Sequence, residues 1–111
     1  MTLEERQAGE VTIVAISGDI TLHAGVDVLK DKVYSLLQSE RRKVLFDLAG
    51  VGQVDSTGLG QLVHAHVTMS RHGGTLKLLN LTKRLDDLLV LTKLVTVFDI
   101  FDDEAEALAS F

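Results

Sequence analysis

The central junction of this chain reads Val54-Asp55-Ser56-Thr57-Gly58-Leu59-Gly60. It follows a short apolar run, Val44–Leu48, which predicts a strand, and a connection over 49–55 that two glycines loosen into a loop. It opens a segment whose apolar residues recur at helical spacing, so we expect a helix from Ser56 to His72. An acid and two hydroxyls therefore stand where the first helical turn exposes unpaired N–H groups.

This junction has several chemical interpretations that the residues alone leave open. A carboxylate or hydroxyl before a helix usually caps it, and such a cap is worth about 1 kcal/mol. If Asp55 is the cap, Ser56 is left exposed, where it can hold an anion or carry a phosphate group. Gly58 and Gly60 can in turn allow the helix to approach a neighbouring strand closely.

Catalytic motifs built on similar residues are excluded position by position. A phosphate-binding loop needs a lysine after its second glycine, and none follows Gly58 or Gly60. A nucleophile elbow needs glycine two residues before the serine, where Val54 stands. A dinucleotide fingerprint needs a third glycine at the position of Val63. We therefore expect no catalytic residues and no enzymatic activity.

Strands and helices alternate along the rest of the chain. The apolar patterns predict strands at Leu3–Arg6, Val11–Ser17, Thr75–Leu79 and Val95–Phe101, with a hairpin turn at Gln7–Glu10. They predict helices at Ala24–Glu40 with Val26 on its apolar face, at Thr82–Thr92 with Thr82 as N-cap, and from an Asp103 N-cap onward. The order β-β-α-β-α-β-α-β-α predicts an α/β fold in which four helices pack on a mixed sheet of about four to five strands.

Composition limits the class of protein. The 111 residues are 46% hydrophobic and 24% charged, which suits one globular domain over residues 1–111. The absence of cysteine excludes disulfides and thiolate metal sites. His64 and His66 stand two residues apart in a predicted helix and so do not share a face. We expect no metal site and no cofactor.

Charge and hydropathy limit the partners. The net charge is −5 and no stripe of lysine or arginine is present, so we expect no nucleic-acid partner. An acidic surface instead suits a basic patch on another protein. The apolar runs are far shorter than the roughly 20 residues that span a membrane, and the N-terminal residues do not form a signal peptide. These features predict a cytoplasmic protein without membrane insertion.

Three segments carry a resemblance to a known family. Gly18-Asp19-Ile20, Val44–Leu48 and Val54–Gly60 together resemble a STAS domain, and more narrowly the free-standing bacterial anti-sigma factor antagonists. The resemblance runs from about Val11 to Leu108 and includes the leucine-rich third helix. An Asp-Ser-Thr-Gly-Leu-Gly motif at a strand–helix junction is specific for this group. The resemblance implies the STAS fold.

The resemblance also implies a mechanism. In that family the serine after the motif's aspartate is phosphorylated by a partner that is both an anti-sigma factor and a serine kinase, and the matching residue is Ser56. The unphosphorylated antagonist binds this partner and frees the sigma factor, whereas phosphorylation releases the partner and a serine phosphatase resets the cycle. Thr57 is the secondary acceptor. The implied partner-binding surface comprises Asp19, Asp55, Ser56, Thr57, Gly58, Leu59 and Gly60, in a monomer or weak dimer.

One departure and two alternatives accompany this interpretation. Many relatives carry a glycine after the third helix, where this chain has Thr92-Lys93. We expect that difference to alter a loop near the far edge of the domain and not to touch the motif. The alternatives are a STAS subunit that regulates a transporter or signalling assembly, and a STAS domain that binds a nucleotide or small anion at Ser56–Gly60.

Overall fold

The computed structural model describes residues 1–24 and 27–111. Within that part of the chain, five strands form one sheet in sequence order; they are β1 (Thr2–Ala8), β2 (Val11–Ile20), β3 (Lys43–Val54), β4 (Thr75–Leu79) and β5 (Ile100–Phe101). The helices are α1 (Val28–Gln38), α2 (Ser56–Arg71), α3 (Lys83–Leu91) and α4 (Glu104–Ala109). β1 is antiparallel to β2, and every later pair is parallel. The predicted α/β class, sheet type and element order are confirmed.

The sheet is covered by helices on both faces. Because side chains alternate across a strand, Val14 and Ile16 of β2 point to the face that α1, α2 and α3 cover. Val11 and Ile13 point to the opposite face, where they share a smaller apolar cluster with Ala107 of α4. This two-sided burial explains why the strand sequence is almost continuously apolar.

The predicted loop over 49–55 is wrong, because β3 continues to Val54. Its second half pairs with the end of β2, which itself runs past the predicted Ser17 to Ile20. The glycines serve this pairing: a Cβ on Gly50 would lie 2.7 Å from Ser17 Oγ, and one on Gly52 would lie 2.4 Å from Asp19 Oδ1. Glycine here permits close cross-strand contact, whereas its sequence pattern indicated a loop.

The predicted strand at Val95–Phe101 is also wrong over most of its length. A 3-10 turn occupies Leu94–Thr96, and only Ile100–Phe101 joins the sheet. Lys93 has a left-handed backbone (φ 62°), which turns the chain directly after α3. The apolar residues that follow therefore lie in a turn and not in a strand. Phe98 is buried in the main core from that position.

The first predicted helix differs at its start. Leu22–Ala24 forms a short 3-10 turn, and α1 begins only at Val28. Val26 lies outside the described residues. The predicted caps of the two later helices are confirmed: Thr82 Oγ1 accepts from the Leu85 N–H at 3.2 Å, and Asp103 Oδ1 accepts from the Glu106 N–H at 3.1 Å.

Candidate functional site

Asp55 caps α2 with its side chain, as its position in the sequence suggested. Its Oδ1 accepts from the Gly58 N–H at 2.8 Å, and its Oδ2 accepts from the Leu22 N–H at 3.0 Å. The bond from Gly58, followed by the bond from Leu22, lowers the pKa of this carboxyl below its ordinary value. One ionised side chain therefore joins the start of α2 to the connection between β2 and α1.

Ser56 is the first residue of α2 and is exposed. Among the described residues, no side-chain hydrogen bond involves its hydroxyl, because Asp55 already satisfies the cap. The hydroxyl lies at the positive end of a 16-residue helix, beside N–H groups of the first turn. Thr57, one residue later, is half-buried. Ser56 is thus the more accessible of the two hydroxyls.

Asp19 lies near the carboxyl-terminal end of β2. Its Oδ1 accepts from the Gln53 N–H at 2.8 Å, in the space that Gly52 leaves open. Ile20 pairs with Val54, so the carboxyl ends of β2 and β3 meet beside the start of α2. Asp19 and Asp55 therefore each bind a backbone N–H group within three residues of the junction between β3 and α2.

The two glycines of the motif have different environments. A Cβ on Gly58 would lie 1.7 Å from the Ile20 carbonyl oxygen, so the predicted close approach of helix and strand is confirmed there. A Cβ on Gly60 would have nothing within 4 Å, so the same interpretation is wrong at that position. Of the motif residues, Gly58 and Leu59 are buried, whereas Ser56 and Gly60 are exposed.

A groove runs along α2 from Ser56, and we call it the Ser56 groove. It has a volume of about 520 Å³ and is lined by Ser56, Leu59, Gly60, Val63, His64, Val67, Arg71 and Leu94. Val63 and Val67 belong to the apolar residues that recur at helical spacing in this segment, and both are half-buried. Leu59, Val63 and Val67 follow one another at intervals of four residues, which is the sequence signal for a shared apolar surface on a helix. The sequence pattern did not reveal that this surface is part of a groove.

A second groove lies between α2 and α1, and we call it the Thr57 groove. It is smaller, about 260 Å³, and is lined by Asp27, Lys30, Thr57, Gly60, Gln61 and His64. The two adjacent hydroxyls therefore open onto different grooves, which meet at Gly60 and His64.

The departure at Thr92-Lys93 stands between the end of α3 and the 3-10 turn at Leu94–Thr96. Leu94, the residue directly after Lys93, lines the Ser56 groove. The left-handed backbone of Lys93 sets the direction in which the chain enters this turn. The departure therefore adjoins a residue of this groove, and its remoteness from Ser56–Gly60 stays a prediction.

Two of the four histidines, His66 and His72, have contacts within the fold. His72 Nδ1 lies 2.8 Å from the Thr68 carbonyl oxygen at the end of α2, and the His66 ring packs edge-on against Phe98 at 5.2 Å. Over residues 1–24 and 27–111, no three acidic or histidine side chains are grouped as a metal site. In the same ranges, no helix is long and apolar enough to cross a membrane.

Comparison with known proteins gives consistent matches. Residues 2–107 match the STAS domain model. Over 87 residues, 78% of each chain, the sequence is 36% identical to the anti-sigma-B factor antagonist of Bacillus subtilis (strain 168). An anti-sigma factor antagonist from Mycobacterium paratuberculosis has a similar structure, with a TM-score of 0.84, 18% identity and coverage of 98% of this chain and 92% of that one. The structure of Bacillus SpoIIAA in its phosphorylated form is also similar, with a TM-score of 0.73, 16% identity and coverage of 98% of both chains.

Proposed function

Because this chain belongs to the STAS domain family, we propose that it is an anti-sigma factor antagonist switched by phosphorylation at Ser56. In the unphosphorylated state it binds an anti-sigma factor that is also a serine kinase, and the sigma factor is freed. Phosphorylation of Ser56 releases this partner, and a serine phosphatase restores the binding form. The chain is therefore a regulatory substrate and not an enzyme.

The observation that carries this proposal is the division of roles between Asp55 and Ser56. Asp55 Oδ1 accepts from the Gly58 N–H of α2 and its Oδ2 from the Leu22 N–H, so the capping bond forms without the serine. The Ser56 hydroxyl is exposed at that same helix start. A kinase can reach it without unfolding α2, and its modification removes no cap.

Electrostatics favours a switch that acts on the partner and leaves the fold intact. A phosphoserine carries about −1.5 to −2 charges at neutral pH, and a helix N-terminus stabilises negative charge. Repulsion from one partner carboxylate about 7 Å away is roughly 1–5 kcal/mol at effective dielectric constants of about 80 to 20. Since about 1.4 kcal/mol changes affinity tenfold, this repulsion together with steric misfit is enough to release a partner.

The test compares wild type, Ser56→Ala and Ser56→Asp as immobilised baits in extracts of the source cells, with mass spectrometry of the retained proteins. Ser56→Ala is expected to retain an ATP-binding kinase that Ser56→Asp loses. The purified kinase with ATP should then phosphorylate the wild-type chain at residue 56, as mapped by tandem mass spectrometry.

The matched control is Ser35→Asp, which adds the same charge at an exposed serine of α1. It should still bind the kinase. Equal retention of that kinase by Ser56→Ala and Ser56→Asp would exclude the switch.

A further inference from the structure

We propose that the Ser56 groove is the docking surface for an apolar segment of the kinase, with an acidic side chain of that segment against Arg71. This inference rests on the proposed function and adds to it the chemistry of the contact. It also assigns a role to the half of α2 that lies beyond the Asp55–Gly60 motif.

The lining of the groove specifies the chemistry of its occupant. Its walls are largely apolar, formed by the side chains of Leu59, Val63, Val67 and Leu94. Although the whole chain has a net charge of −5, no acidic residue of the described ranges lines this groove. Arg71 lies at its far end and forms no ion pair with any described residue. An apolar segment that carries one acid complements both features.

Gly60 gives an independent argument for an external partner. Glycine inside a helix is about 1 kcal/mol less favourable than alanine, and the surrounding fold leaves free space around this position. Gly58 is explained by the Ile20 carbonyl, but no group of the described structure explains Gly60. Because Gly60 is exposed and lines the groove, its missing side chain lets a docked segment lie close to the α2 backbone.

The position of the groove also bears on which of the two hydroxyls, Ser56 or Thr57, faces a docked kinase. Ser56 lines the Ser56 groove, whereas Thr57 lines the smaller groove toward α1, whose walls include Asp27 and Lys30. A segment docked along Val63 and Val67 holds the kinase over Ser56. Docking therefore favours Ser56 over its neighbour as the phosphate acceptor.

Two further apolar residues are exposed at the end of α3, before the turn that contains Leu94. Val90 and Leu91 are 57% and 80% exposed, and they precede Leu94 by four and three residues. Exposed apolar residues that adjoin a groove are typical of protein interaction sites. The docked segment can extend past Leu94 onto this end of the helix.

The test measures binding and phosphorylation of groove variants by the purified kinase. Val67→Glu places an acid among the apolar walls, Gly60→Leu fills the groove, and Arg71→Glu reverses the charge at its end. Each is expected to raise Kd and KM about tenfold or more, with kcat little changed because Ser56 is intact. The Arg71→Glu effect should weaken at high salt, because this contact is exposed.

The matched control is Ser35→Glu, which adds a negative charge at an exposed position of α1 outside both grooves. It should bind as the wild type does. Thermal unfolding of each variant checks that the fold is retained, and Gly60→Leu is the informative variant if Val67→Glu unfolds, since space is free around residue 60.

The possible outcomes distinguish a failure of this inference from a failure of the proposed function on which it rests. If the kinase phosphorylates wild type at Ser56 but the groove variants bind equally well, the docking surface is wrong and the switch stands. If the variants change only the self-association of the chain, the groove holds a second copy, which overturns the inference. If no kinase binds or phosphorylates the wild type, the proposed function fails and this inference fails with it.

Discussion

Gly58 and Gly60 stand two residues apart in the first turns of α2, and they face opposite environments. Gly58 lies against the end of β2, where a Cβ would be 1.7 Å from the Ile20 carbonyl oxygen, whereas Gly60 faces open space. The residues beside them follow the same division: Leu59 is buried in the core and Ser56 is exposed. A short motif thus combines an inward set that positions the helix with an outward set that remains available to a partner. Stability measurements can separate the two sets.

The largest change in stability is expected at Gly58, the glycine that faces inward. Gly58→Ala forces a methyl group into a backbone carbonyl that cannot move without displacing β2. We expect it to lower the free energy of unfolding by about 3 kcal/mol or more, at the upper end of overpacking effects. Urea denaturation measures the change. A variant as stable as the wild type would show that α2 does not approach β2 this closely.

The next effect concerns the Asp55 cap and its dependence on pH. Because the folded-state pKa of Asp55 is lowered, its contribution is fully present above the ordinary value of 3.8 and is lost as the pH falls toward the folded-state pKa. Asp55→Asn should therefore be less stable than wild type at pH 7, and this difference in stability should become smaller below about pH 4. Thermal unfolding from pH 7 to pH 2 tests this. A stability difference between the two proteins that stays constant with pH would mean that the ionised carboxylate adds nothing to the cap.

A smaller effect of opposite sign is expected at the outward glycine. Gly60→Ala replaces the least favourable non-proline helix residue at a position with free space, and should raise the free energy of unfolding by up to about 1 kcal/mol. The same urea experiment as for Gly58→Ala measures it. Destabilisation at residue 60 would remove the contrast between the two glycines, and with it one argument for the docking surface.

The smallest effect is expected at the phosphate acceptor itself. Ser56→Ala and Ser56→Asp should change stability by no more than about 0.5 kcal/mol, because Asp55 forms the cap in every variant. Differential scanning calorimetry of the three proteins measures it. Loss of a cooperative transition in either variant would assign Ser56 to the inward set and count against a switch that leaves the fold unchanged.

Local patterns predicted the elements whose signals are short-range. Asp55, Thr82 and Asp103 cap helices as expected, because a capping bond joins a side chain to an N–H three residues later in the same segment. The β/α alternation likewise indicated the class of sheet. Errors occurred where a distant segment decides the conformation. The pattern at Gly50 and Gly52 indicates a loop, because the strand that pairs with them, with Ser17 and Asp19 close to the two glycines, lies more than 30 residues away.

The α/β class, the element order and the position of an acid and two hydroxyls at the start of α2 follow from local sequence patterns. Which residues of the motif face inward depends on how the distant segments pack. This packing placed Gly58 against Ile20, left Gly60 in open space, and opened Ser56 and Thr57 onto different grooves. The physical reason is that capping depends on neighbours within one helical turn, whereas exposure depends on the packing of segments that are distant along the chain.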